Sequence, residues 1–145
     1  MRFISKCDPA EFNLIGLLLE LGSSPPKKRP WAVGKEAQQG SFLFLGMSGP
    51  NAGIYAVSSI LTAPVCVNNP AGNPLSAEGV YTPAQWVSDI LINSNMVRTP
   101  ITMAQMAKAP ELADLVRWFG EKESFRAITN PESAALWGFL LPVRK

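Results

Sequence analysis

The chain has no histidine and only two cysteines among its 145 residues. Histidine is the side chain that most readily exchanges a proton near neutral pH and the commonest zinc ligand, so its absence removes the usual general base and most zinc sites. Cys7 and Cys66 lie far apart with no C-x-x-C spacing, so no metal site, redox pair or disulfide framework is expected. That thiol usage reads as a reducing, cytoplasmic setting. Acids are also few, 11 against 13 Lys and Arg. Asp8 and Glu11 are explained by capping, and Glu111, Asp114, Glu121 and Glu123 fall near helix ends where solvation suffices. There is no glycine-rich phosphate loop followed by Lys and Ser/Thr, and no G-x-S-x-G nucleophile elbow. The expectation is therefore a non-enzyme with no cofactor; a sensor or an enzyme acting through Cys7 would need an activated rather than a buried thiol. Long apolar runs are missing too. Phe12 to Leu21 falls short of the ~20 residues that span a bilayer, carries Asn13 and Glu20, and follows acids rather than a basic segment, so neither membrane insertion nor secretion is expected.

What is present describes an ordinary globular domain, with 47% hydrophobic and 17% charged residues, a formal net charge of +2 and a pI near 8.7. The length reads as one domain over residues 1–145, large enough to bury roughly 68–70% of the unfolded chain's surface without a staple. The charge permits a polyanionic partner without demanding one, so the placement of the cations has to carry the argument.

Met1 to Lys6 reads as a first strand. Asp8-Pro9-Ala10-Glu11 supplies a cap, a proline and an acid for a helix whose apolar face is Phe12, Ile15, Leu18 and Leu19, ending at Gly22. Ser23 to Pro30, with three prolines and three cations, reads as an exposed connector. Ser41 to Leu45 and Ile54 to Ile60 are paired strands around a Gly-Pro-Asn turn, the second continuing toward Val67. Asn68 to Ser76 is a loop, and Val87 to Met96 a strand with Ile90 and Ile92 on one face. Ala104 to Lys108 gives one helical turn, Pro110 to Phe119 a helix burying Leu112, Leu115, Val116 and Phe119, and Asn130 caps a last helix toward Leu140. The order β-α-ββ-β-α-α indicates a mixed α+β fold around a curled sheet.

The pattern resembles the EVE domains of the PUA-like β-barrel superfamily. Met1 to Phe12 is similar to their first strand running into a short capped helix, and Arg29-Pro30-Trp31-Ala32-Val33 to the segment holding a tryptophan. Gly40 to Phe44 through Gly53 to Val57 resembles their strand, polar loop and second strand. Pro110 to Ala113 and Ile128 to Ala134 resemble their closing elements. Ser41 stands where those domains commonly carry Asp, and the connector from Trp31 to Gly40 is shorter. The resemblance implies a curled mixed sheet or barrel of about five to six strands flanked by short helices. It also implies binding to DNA or RNA, in some branches a modified base flipped out of a duplex, often beside a nuclease partner.

Beside that resemblance, the residues themselves offer a nucleotide site. Cations next to an exposed ring suit a nucleic acid, because charge holds phosphates while the ring stacks on a base. Trp31 and Trp86 are the candidate walls, with Lys27, Lys28, Arg29 and Lys35 on the backbone. Tyr55 and Tyr81 are weaker, since a strand tyrosine packs its ring and sends its hydroxyl to solvent, and Trp118 and Trp137 read as helix core. Base selection needs directional polar groups, for which Ser5, Ser48, Asn51 and Asn93 are available. Ser48 and Asn51 are explained by the hairpin turn before ligand contact is invoked, and a short basic run by a solvated loop before phosphate contact. The alternative reading is a protein-interaction or homodimerisation module without nucleic-acid binding, which the apolar surplus would serve.

Overall fold

A computed structural model of the chain describes residues 2–22, 28–67 and 85–140. Among them are the strands β1 (Arg2–Cys7), β2 (Lys28–Val33), β3 (Phe42–Met47), β4 (Gly53–Ile60), β5 (Val65–Val67), β6 (Gln85–Asn95), β7 (Ile101–Thr102) and β8 (Phe125–Ala127). The α-helices are α1 (Leu14–Leu21), α2 (Met103–Ala107), α3 (Ala113–Trp118) and α4 (Asn130–Leu140), with a 3-10 turn over Pro110–Leu112 leading into α3. The sheet runs β2-β6-β4-β3-β1-β8, with β5 added to β6 and β7 to β4. Only the β1–β3 pair is parallel among the strand pairs of the described residues.

This mixed sheet curls on itself. β2 lies at one end of the strand order and β1 near the other, yet the Trp31 indole Nε1 donates to Ser5 Oγ at 3.3 Å across the interior. Strand alternation then assigns two faces. Inside the curl, Phe3, Trp31, Val33, Leu43, Leu45, Ile90, Ile92 and Phe125 form one core, closed by Leu14 and Leu18 of α1. Outside, Ile4, Phe44, Ile54 and Val57 form a second core under Met106, Leu112, Leu115, Trp118 and Leu136. The α+β expectation of a curled sheet with short flanking helices is borne out, and short β5 and β7 extend the six main strands. Gly53 is what admits β7, because a Cβ there would lie 2.6 Å from the Ile101 carbonyl oxygen.

Lys6 ties the two layers together. Its strand position turns it toward the helices, and it is 7% exposed. Its ammonium donates to the Trp118 carbonyl and, at 2.6 Å, to that of Glu121. It also lies 4.3 Å from the centre of the Trp118 ring. These carbonyls close the end of α3, where a cation opposes the negative end of the helix dipole. Burial lowers the Lys6 pKa, and the charges of Glu121 and Glu123 oppose that shift.

Several local expectations are corrected. The helix does not start at Asp8: Asp8 Oδ1 accepts from the Ala10 amide at 2.9 Å and its carbonyl accepts from Phe12 at 2.9 Å, closing a turn. That turn delivers the Phe12 ring onto Trp31, and Asn13 caps α1 by accepting from Gly16 N at 2.9 Å. The supposed connector contains β2 from Lys28 onward, since proline is tolerated on an edge strand. β4 stops at Ile60, and Val65–Val67 pairs separately with β6. The last helix is capped by Thr129, whose Oγ1 accepts from Glu132 N at 3.3 Å while Glu132 Oε1 accepts from Thr129 N at 3.0 Å. Glu132 also holds Arg126 through two bonds of 3.1 Å each. The Asn68 to Ser76 loop lies outside the described residues.

Replacing Lys6 by Met keeps the stem's volume but orphans two carbonyls, and it should cost about 1–3 kcal/mol. Urea unfolding checks this; an unchanged or higher midpoint would contradict the tethering role.

Candidate nucleic-acid interface

Alternation along β2 and β6 decides which side chains meet. Their antiparallel register pairs Arg29 with Ile90, Trp31 with Ser88 and Val33 with Trp86, all on the inward row. Going along β6 toward Gln85, the inward residues pass from Ile90 at 0% exposure through Ser88 at 1% to Trp86 at 36%. Trp86 therefore marks the rim of the curl, flanked by Val33 on one side and Cys66 on the other. Two residues beyond β2, Lys35 is exposed at the same end. The chain between them bends at Gly34, where a Cβ would lie 2.3 Å from Glu36 Oε1 and 2.6 Å from Phe125 Cδ2. A side chain at Gly34 would force Phe125, a core ring stacked on Phe3 at 5.3 Å, to move.

Trp31 departs from its expected place. It is 3% exposed, packs edge-on against Phe12 at 5.4 Å and spends its N–H on Ser5, so it is core rather than an available stacking face. Because β2 is a regular strand, its period of two turns Trp31 inward, which an irregular connector would not do. Lys28 and Arg29 point to opposite faces for the same reason. Arg29 shares the inward row, half-buried, roughly 13 Å of strand away from Val33. Lys27 and Tyr81 lie outside the described residues.

The polar candidates do not converge. Ser48 donates to the Cys7 carbonyl at 3.3 Å, and the Asn51 carbonyl accepts from the Tyr55 hydroxyl at 2.6 Å. Tyr55 is 7% exposed, so its hydroxyl goes to a turn rather than to solvent, and burial raises its pKa. Both turn residues belong to the β3–β4 hairpin, at the end where β6 reaches Asn95, roughly 30 Å of strand from Trp86. Asn93 faces outward at a bulge and donates to Ser59 Oγ at 2.6 Å. Ser5 faces inward and is occupied by Trp31. Of the residues singled out from sequence, the structure joins Ser5 with Trp31 inside, and places Lys35 two residues beyond Val33, the strand partner of Trp86.

The solved structures that share this shape place it among known folds. One is a protein from Pseudomonas putida, with a TM-score of 0.68 at 17% identity over 97% of this chain and 100% of that one. Another is human THYN1 in complex with DNA containing 5-methylcytosine, with a TM-score of 0.65 at 16% identity over 99% of each chain. A third is the DUF55 domain of human thymocyte nuclear protein 1, with a TM-score of 0.61 at 16% identity over 95% of this chain and 97% of that one. The chain has the EVE-type (DUF55) fold. The resemblance read from sequence thus holds for the architecture. No family model matches the chain, and no curated protein matches its sequence.

Sequence reasoning missed Ser88, the polar residue on an otherwise apolar row. Its signal was legible in Trp86-Val87-Ser88-Asp89-Ile90, where alternation with Ile90 puts a hydroxyl on the core side. Among the described residues no group of three His, Cys, Asp or Glu is placed to hold a metal ion, and no helix is long and apolar enough to cross a membrane.

The two thiols differ sharply. Burial pushes Cys7 up to about 12, from an ordinary 9.0, whereas Cys66 is exposed. A thiol reagent at neutral pH should label Cys66 quickly in the native protein and Cys7 only on unfolding; two fast thiols would contradict the structure. The folded state keeps Cys7 protonated above the pH at which the unfolded thiol ionises. Its contribution is complete below about pH 9 and is lost as pH rises toward 12. Cys7→Ala should flatten that alkaline loss in pH-dependent urea titrations.

Proposed function

We propose that the chain is a non-catalytic nucleic-acid-binding module that takes one base, in the modified-base reading a modified one, against Trp86 at the rim of the curled sheet. Lys35 meets the adjacent phosphate, and Arg29 and Lys28 extend the cationic surface on either face of β2. The observation that carries this reading is the partly exposed Trp86 indole on the inward row, at 36%, with an exposed cation at the same rim. An aromatic face stacks on any base, and a nearby ammonium replaces counterions on the backbone. The likeness to a protein solved with 5-methylcytosine DNA supports choosing DNA and a methylated base as the first probe.

A second reading has its own observation. Val65, 60% exposed, pairs with Val87 on the outer face of the β5–β6 edge, and that exposed apolar edge would also suit a second copy of the chain. Light scattering separates the two: a dimer in the absence of nucleic acid favours this second reading, and a monomer the first.

Titrating duplexes with a central cytosine or 5-methylcytosine should quench tryptophan fluorescence, with tighter binding to the methylated duplex. Trp86→Ala should weaken binding about tenfold, within the ~1–3 kcal/mol range of one stacked base. Lys35→Gln should reduce the slope of log affinity against log salt by about one. Absence of quenching, together with equal affinity for both duplexes, would sink the proposal.

A further inference from the structure

We propose that Ser88 determines specificity at this rim by hydrogen-bonding the edge of a pyrimidine that has passed Trp86; the inference rests on the nucleic-acid reading above. Ser88 is 1% exposed, and among the described residues its hydroxyl has no hydrogen-bond partner. Its cross-strand neighbour is Trp31, whose N–H is already engaged by Ser5. Around it on the inward surface Val33, Ile90 and Ile92 are apolar and buried, while the half-buried Arg29 lies opposite Ile90 on the same row.

An unmatched hydroxyl in such surroundings weakens the fold, because it forfeits its bonds to water and gains none. Alanine would serve packing better. The group becomes useful when a polar partner arrives from outside, and its position fits that role. Trp86 is the next inward residue toward solvent, about 6.8 Å along the strand. A base stacked on that indole carries its edge toward the level of Ser88, and contact with the 1% exposed hydroxyl requires the side chains that cover it to shift outward. A serine hydroxyl both donates and accepts, so it complements an amino or carbonyl group on a pyrimidine. A ligand edge without such a group would leave it unmatched, and discrimination follows from that difference.

The test compares wild type with Ser88→Ala on three duplexes that differ only at one central position: cytosine, 5-methylcytosine or an abasic site. Wild type should bind both base-bearing duplexes more tightly than the abasic one. Ser88→Ala should lose about tenfold on the base-bearing duplexes and nothing on the abasic one. Its thermal midpoint should be unchanged or higher, since an unpaired buried hydroxyl has been removed. A loss shared equally by all three duplexes, or no loss, overturns the assignment. So does a lower midpoint with unchanged binding, which would make Ser88 a structural residue. If wild type binds none of the duplexes while remaining folded, the nucleic-acid reading itself fails, an outcome separate from a variant that binds as wild type does.

Discussion

The contact between Trp31 and Ser5 is what makes a curled sheet out of a row of strands. β2 and β1 share no ladder, so the backbone gives no closure at this seam. An indole large enough to cross the interior fills the space, and its N–H finds a hydroxyl on the far side. Phe12 then seals the indole edge-on, and α1 follows directly behind it. The order of events along the chain is thus dictated by one ring. The turn at Asp8 exists to bring Phe12 over, and the strand at Lys28 to Val33 exists to aim Trp31 inward.

Closure also separates the tasks of the two sheet faces. The inner face cannot be both packed solid and available, and the structure resolves this by grading exposure along β6 from sealed Ile90 to the rim at Trp86. The outer face is given to helices. Lys6 joins these layers from a strand whose alternate residues line the interior, so one strand holds the end of α3 through Lys6 and meets the seam through Ser5. Asn95 makes a comparable link at the other end, donating to the Leu18 carbonyl at 2.7 Å and holding the end of α1 against β6.

The elements legible in the sequence were those with local signatures. The β3–β4 hairpin, β6 with its Ile90 and Ile92 face, and the helices after Ala104 and Pro110 carry their periodicity or caps within a few residues. The elements that were missed depend on partners distant in sequence. β2 contains Pro30 and a run of cations, and only pairing with β6 makes it a strand. β7 and β8 are two and three residues long, too short for any pattern to show. The site suffered from the same blindness. Trp31 looked available because its strand was invisible, and Ser48 and Asn51 looked convergent with it because sequence gives no sense of which end of the sheet a hairpin occupies. Ser88 was readable in principle, since a polar residue in phase with Ile90 breaks the apolar row.

Pro30 has a meaning beyond tolerance of an edge position. Among the described residues β2 is the outermost strand on its side, and an edge strand normally offers a row of amide donors to any passing chain. A ring nitrogen at the middle of that row, flanked by the charge of Lys28, interrupts it. A neighbouring molecule that tried to extend the sheet there would find its ladder broken at the third residue. Pro30 thus removes one amide donor from the middle of this border.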